Sequence, residues 1–275
     1  MVLKIIRPPD LEEIARRENI SVWEVQEILN VAKKSMEPII KQISVIEDGV
    51  SHSYIVQRQG VGILNTPYGK FWHFSFRIND RWDRYSVIVK AELDENLIPR
   101  FHNSGNLIVR PDSGCETGQL FHDLTCECGQ QLVKTLEIIA GAGEGLIVSI
   151  PGQDGRGKGL PFKLATLWLQ DRLNVNTVEA AALLTSDLTI DVRTFSGAVC
   201  ILKFFEVPAS RSISLVTNGN LKLKAFLENG YTLAESTPVV IEATEDTRRH
   251  LEAKQEVFGH RNLIASSDNS DEKGD

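Results

Sequence analysis

Hydrophobic and polar positions change rhythm along this chain, and the changes mark its parts. Residues 10 to 45 carry apolar side chains at helical spacing, in LEEIARREN and, after Ile20-Ser21, in VWEVQEILNVAKKSM. Ser21 followed by Glu24 is a capping-box pattern, which predicts a helix start there. The rhythm breaks at Asp48 to Ser53. SYIVQRQ, GVGILNT, KFWHFSFRI, RYSVIVKAEL and NLIVR then read as strands, joined by turns such as Pro67-Tyr68-Gly69 and Asn79-Asp80. A helix is predicted over QQLVKTLEIIAGA. From Gly143 strand and helix alternate: the buried-strand run GLIVSI, a glycine-rich loop, the helix FKLATLWLQDRL, an apolar helical run with a buried Cys200, and a last strand–helix unit in SISLVTNGNLKLKAFLENG. The expected fold class is α+β (α-β): an antiparallel strand region, then strand–helix units forming a mixed sheet with helices, plus an N-terminal helical extension. The expected boundaries are 1–50 for the extension, 51–265 for the body and 266–275 for a polar, acidic, disordered tail.

The 275 residues suffice for one large domain with an appendage. A net charge of −7 with no long basic run argues against a general nucleic-acid surface, while leaving room for a local phosphate pocket. IARRENISVWEVQEILN is similar to the helix-turn-helix unit of some repressors. Its second helix, however, carries two glutamates and no basic residue, and would repel phosphate. Packing on the body or on a second subunit is the better expectation. No apolar run reaches membrane-spanning length, and MVLKIIRPPDLEE does not read as a signal peptide. A cytoplasmic protein is expected.

Candidate chemistry gathers in Arg110 to Gln131, RPDSGCETGQLFHDLTCECGQQ. It holds three of the four cysteines, Cys115, Cys126 and Cys128, spaced C-x10-C-x-C. Three thiolates suit a zinc ion with an open fourth position, which activates water at neutral pH. From spacing alone two other readings stay open: a closed structural zinc site completed by His122, and thiols without metal. A disulfide framework fits neither the strained C-x-C pairing nor the absence of secretory signals. Gly152 to Lys158 satisfies G-x4-G-K, but Gly159 stands where a P-loop needs Ser or Thr for magnesium.

The cysteine stretch resembles the zinc motif of GTP cyclohydrolase II, the first enzyme of riboflavin synthesis. That family's pattern is R-x-H-S-x-C-x-T-G-D, then S-x-x-C-D-C-G-x-Q. Arg110, Ser113, Cys115, Thr117, Gly118, Cys126, Cys128, Gly129 and Gln131 match it. The resemblance runs from about Gly60 to His260. It includes GILNTPYGKFWHFSF against the family's first hairpin, and Gln153-Asp154-Gly155-Arg156 with Gly159-Leu160 against Q-E-G-R-x-x-G-L. It also takes in Asp191-Val192-Arg193 against D-x-R, Thr217, Asn218 and Lys222 against T-N-x-x-x-K, and HLEAKQEVFGH against Y-L-x-T-K-x-x-K-M-G-H. The resemblance implies a divergent member that opens the imidazole ring of a guanine nucleotide, with GTP as substrate. Cys115, Cys126 and Cys128 would hold one Zn2+ per chain, and Mg2+ would accompany the substrate phosphates. Arg193 would be the nucleophile that displaces pyrophosphate and Asp191 the proton acceptor. Arg110, Ser113, Gln131, Asp154, Gly155, Arg156, Thr177, Thr217 and Lys222 would bind the nucleotide. The family's homodimer is implied too. From the residues alone, an Asp and an Arg two apart are as expected of a surface ion pair.

The departures are specific. The family's H-S-E is here Asp112-Ser113-Gly114, its aspartate after T-G is Gln119, and its glutamate in the glycine-rich loop is Asp154. The tyrosine that assists ring hydrolysis falls at Leu167, which neither donates nor accepts a proton. A reaction that stops at the formamide product is therefore expected, or another heterocyclic nucleotide in a specialised pathway. A nucleotide-binding regulator without catalysis and a zinc-stabilised structural protein are the rival classes.

Overall fold

The computed structural model describes residues 8–79, 83–102, 104–185, 191–234 and 237–258. The expected acidic tail lies outside the described residues. Two helices open the chain, α1 (Leu11–Glu18) and α2 (Val22–Lys34). Asp10 caps α1 by accepting the Glu12 N–H at 3.0 Å. Ser21 and Glu24 form the reciprocal capping box of α2.

The helical reading of residues 10 to 45, and with it an all-helical extension to residue 50, fails after Lys34. Pro38 interrupts the pattern, and β1 (Ile39–Glu47) pairs antiparallel with β2 (Val50–Thr66). Apolar pairs at Ile39-Ile40 and Val45-Ile46 imitate a helical stripe, although only one residue of each pair can face the core in a strand. Asp48 and Gly49 both take left-handed backbone angles (φ 50° and 78°), the two-residue turn that matches the twist of a hairpin. The break expected at Asp48 to Ser53 is thus a hairpin turn and the start of β2. SYIVQRQ and GVGILNT, read as two strands, are one strand with a bulge between Arg58 and Gly60.

The remaining strands are β3 (Gly69–Ile78), β4 (Tyr85–Lys90), β5 (Glu92–Leu93), β6 (Pro99–Arg100), β7 (Leu107–Asp112), β8 (Gly145–Ser149) and β9 (Ile213–Leu215). Between them lie α3 (Glu116–Gln119), α4 (Cys128–Ala142), α5 (Leu160–Leu173), α6 (Thr177–Leu184) and α7 (Ser196–Phe204), with α8 (Asn220–Glu228) and α9 (Glu245–Phe258) after β9. Among the described residues the main sheet runs β1-β2-β3-β4-β8-β7-β9, with β5 and β6 as a separate ribbon. Pairing is antiparallel from β1 to β8 and parallel from β8 through β7 to β9. This is the expected mixed sheet with helices, an α+β fold.

Helices cover both faces of the sheet. α7 is buried along its length except at Lys203, and packs with α8 against the inward residues of β1 to β4. Phe74 and Phe76 meet Phe204 and Phe205 edge to face at centroid distances of 5.0–5.5 Å. On the opposite face α4 lays Leu132, Leu136, Ile139 and Ala140 over Phe71 and Ile147. The parallel strands β7, β8 and β9 end on the same side, where an open sheet places its ligands.

The assignment of β1 to the core carries a test. Val45 is wholly buried, whereas Ile40 on the same strand is 62% exposed. Val45→Asp is expected to destabilise the protein by ~3 kcal/mol or more, by burying an unpaired charge. Ile40→Asp is expected to cost about 1 kcal/mol or less. Urea denaturation of both variants measures the difference, which a helical extension outside the core would not produce.

Candidate active site

β7 delivers the first polar groups. Arg110 and Asp112 are separated by one residue and so share a face of the strand. Both are buried and joined by a 2.9 Å bond from Arg110 Nε to Asp112 Oδ1. Asp112 also accepts the Gly114 N–H at 2.9 Å and the Gln119 side-chain N–H at 2.7 Å. Burial works against its charge, but Arg110, then Lys222 and these hydrogen bonds, hold its carboxyl below the ordinary value. Positions 112 and 119 are two at which the chain departs from the family pattern, and their side chains meet. There an aspartate and an amide form one partly buried hydrogen bond.

Cys115 follows as the N-cap of α3, while Cys126 and Cys128 flank Glu127 where α4 begins. All three Sγ atoms lie within 4.8 Å of one another. Gly118 makes this approach feasible: a Cβ there would stand 2.5 Å from Cys126 Sγ and 3.2 Å from Cys128 Cβ. His122 is exposed and is not grouped with these donors, so the closed structural site built on it loses its fourth ligand. The donor set fits zinc: soft, convergent sulfurs, three in number, as in an open coordination shell. Lys163 of α5 lies 2.7 Å from Cys115 Sγ. The Cys126 and Cys128 thiols donating toward Cys115, and then the Lys163 ammonium, hold the Cys115 thiol far below its usual range. The other two thiols are correspondingly pushed up, Cys126 to about 11.

Glu127, between two of these cysteines, is 1% exposed. It accepts from Lys254 Nζ of α9 at 2.6 Å and from Gln131 Nε2 at 3.3 Å. Gln131 in turn accepts from Arg110 at 3.1 Å. His250, one turn before Lys254, places Nε2 3.4 Å from Glu127 Oε2. Burial foremost keeps His250 uncharged, with a pKa pushed down to about 3, so Lys254 is the cation that balances Glu127. Burial opposes that carboxylate too, yet Lys254 draws its pKa down to about 2.

Two adjoining cavities, of ≈ 100 Å³ and ≈ 620 Å³, share Ser113, Cys115, Cys128, Arg193 and Lys254 as walls. Asp154, Gly155, Arg156 and Thr177 line the first; Arg110, Gln131, Asp191, Thr217 and Lys222 line the second. Every site residue expected from the sequence is therefore brought to one place. Arg193 gives Nε to Asp191 at 2.9 Å and one Nη to its other oxygen, while its second Nη points to Ser113 Oγ at 3.5 Å. The pair is largely buried, not the surface pair that spacing alone allows. Arg156 sits in the left-handed region (φ 60°), held there as its carbonyl accepts the Val192 N–H at 2.9 Å. Its guanidinium reaches Thr177 Oγ1 at 3.4 Å. Burial and the neighbouring Arg193 push Arg156 down to about 10. Burial, then Arg110, push Lys222 down to about 7. Cations crowded at such cost are suited to a polyanionic ligand.

Sequence reasoning did not single out Lys163, Glu127, His250 or Lys254. Lys254 was visible only as a match in the terminal motif, without a role. The acidic residue inside C-E-C was the available signal for Glu127.

The chain matches the family model described as GTP cyclohydrolase II over residues 58–238. It is 34% identical over 221 residues to a GTP cyclohydrolase-2 of Streptomyces coelicolor, covering 80% of this chain and 93% of that one. It is 32% identical over 241 residues to a GTP cyclohydrolase-2 of Archaeoglobus fulgidus, covering 87% of this chain and 58% of that one. It is 30% identical over 273 residues to the chloroplastic monofunctional riboflavin biosynthesis protein RIBA 3 of Arabidopsis thaliana. There it covers 99% of this chain but spans only 50% of the plant protein's length.

The close approach at Gly118 predicts its own sensitivity. Gly118→Ala is expected to lower zinc content, read by plasma mass spectrometry after dialysis, because the new methyl displaces Cys126 Sγ. Gly141→Ala on α4, where an added Cβ meets nothing within 4 Å, is expected to leave zinc content unchanged.

Proposed function

This chain belongs to the GTP cyclohydrolase II family and is an enzyme of that kind, and from that premise we propose that it opens the imidazole ring of GTP and releases pyrophosphate. The observation that carries the reading is one shared wall: the thiol cluster and the Asp191–Arg193 pair face the same adjoining cavities. A nucleotide spanning both would present its base to one and its phosphates to the other.

Cys115, Cys126 and Cys128 would hold one Zn2+, which supplies Lewis-acid activation of water at the ring carbon. The residues of the chain do the rest. Arg193 attacks the α-phosphorus through the Nη that faces Ser113, forming an N–P bond as the P–O bond to pyrophosphate breaks. Asp191 holds the guanidinium and accepts its proton, and water then cleaves the N–P bond. Arg110, Arg156 and Lys222 neutralise the phosphates together with Mg2+, and Ser113, Gln131, Thr177 and Thr217 supply neutral hydrogen bonds. Asp154 and Gly155, on the same cavity wall as Arg156, complete the nucleotide site.

Leu167 lines the smaller cavity near the thiols. At the position of the family's tyrosine it removes a group that moves a proton, a loss of about 10²–10⁴-fold in the assisted step. The proposed main product is accordingly the ring-opened formamide, with formate release slow. The same substitution, with Asp154 in place of glutamate, also supports a second reading: a different heterocyclic nucleotide in a specialised pathway. A homodimer in the cytoplasm is part of the proposal.

The test uses zinc-loaded protein with GTP and Mg2+, following pyrophosphate, formate and nucleotide mass together. Pyrophosphate with a formamide-bearing nucleotide and little formate is expected. Arg193→Ala is expected to abolish pyrophosphate release, and Leu167→Tyr to raise formate yield. Stoichiometric formate from the unaltered protein would contradict the formamide assignment, and no turnover of GTP would transfer the chemistry to another nucleotide.

A further inference from the structure

The C-terminal helix has no part in the chemistry described so far, yet it reaches the centre of the site. Lys254 and His250, one turn apart on α9, both face Glu127. Glu127 lies between Cys126 and Cys128, with backbone angles (φ −90°, ψ 4°) that turn the chain sharply into α4. Lys254 Nζ to Glu127 Oε1, at 2.6 Å, crosses 127 positions of sequence. Glu127 Oε2 and His250 Nε2 are buried without a hydrogen-bond partner among the described residues, which leaves the lysine as the strong contact. From Glu127 the network continues through Gln131 and Arg110 to Asp112, which holds the Gly114 N–H just before Cys115. One end of each thiol-bearing segment is thus tied into a single buried chain of polar contacts, and α9 supplies its terminal cation.

We propose that Lys254 and Glu127 are positioning residues for the three-thiol centre: the C-terminal helix, through Lys254, fixes the Cys126–Cys128 turn in the conformation that lets the sulfurs converge. The inference rests on the reading of that centre as a metal site. Groups that orient metal ligands typically change metal affinity or activity by 10–100-fold when removed. Glu127 does this through the backbone of its two neighbours and not through a bond to the sulfurs. Lys254 holds Glu127 in place through the 2.6 Å contact, since a buried carboxylate without its partner would turn away from this position.

The experiment measures zinc dissociation by chelator competition, thiol modification rates of the metal-free protein, and thermal unfolding. The proteins are the unaltered chain, Lys254→Met, Lys254→Arg, Glu127→Gln, the Glu127→Gln/Lys254→Met double variant, and Glu252→Ala as a control. Glu252 is an exposed residue of the same helix. Lys254→Met and Glu127→Gln are expected to stay folded and to raise the zinc dissociation constant about 10–100-fold, with kcat falling more than KM rises. Lys254→Arg is expected to restore most of the affinity. The double variant is expected to be no weaker than Glu127→Gln, because both residues act through one contact. A folded Lys254→Met protein with unaltered zinc affinity, or additive effects in the double variant, would overturn the proposal. Should Lys254→Met fail to fold, Lys254→Arg and Glu127→Gln decide the matter by the same criteria. An unaltered protein that takes up no zinc would end the metal reading by itself. In that event unchanged thiol rates in Lys254→Met would overturn the inference too, and altered rates would keep it.

Discussion

Everything at this site answers to one constraint, the crowding of three sulfur donors within 4.8 Å of one another. Thiols at that distance cannot all ionise without a cation among them. Lys163, 2.7 Å from Cys115 Sγ, favours the thiolate there, while the neighbouring thiols of Cys126 and Cys128 are pushed up. Packing alone does not hold such a group. The cluster needs a glycine at 118, where any side chain would collide with a sulfur, and it needs the buried ion pairs that fix the segments on either side. The sheet supplies the rigid floor. β7 and β8 are buried along most of their length and end at the same level, so the loops after them start from fixed points.

Charge is organised in the opposite sense to the whole chain. The protein is net acidic at −7, yet its cavity collects Arg110, Arg156, Arg193 and Lys222. Asp112 and Asp191 are each committed to an arginine and Glu127 to Lys254, so these carboxylates stay oriented while Arg156 and Lys222 line the cavities for a ligand. The lowered pKa of Arg156 and Lys222 follows first from burial and then from that crowding. A polyphosphate would relieve it, which couples binding energy to the geometry around Arg193.

Local patterns were legible and distant partnerships were not. The spacing of Cys115, Cys126 and Cys128, the glycine-rich loop and Asp191-Val192-Arg193 are compact signals, and the structure brings all of them to one pair of cavities. β1 was hidden because adjacent apolar residues at Ile39-Ile40 and Val45-Ile46 satisfy a helical period as well as a strand. The bulge at Gly60 was read as a boundary between strands, since a glycine ends a run as readily as it bends one. Asp112 and Gln119 stood as two separate departures in the sequence until folding put their side chains 2.7 Å apart. Lys254 and Glu127 carry no local sign of each other, because nothing in a residue's near neighbours reports a contact across the fold.

The central claim is that three thiolates of this chain, and no histidine, hold a zinc ion with a position left open. X-ray absorption at the zinc edge of the loaded protein tests it most directly. The account predicts three sulfur scatterers per zinc at about 2.3 Å with one lighter atom completing the shell. A shell that contains a histidine nitrogen with fewer sulfurs, or four protein ligands that close the site, would contradict it.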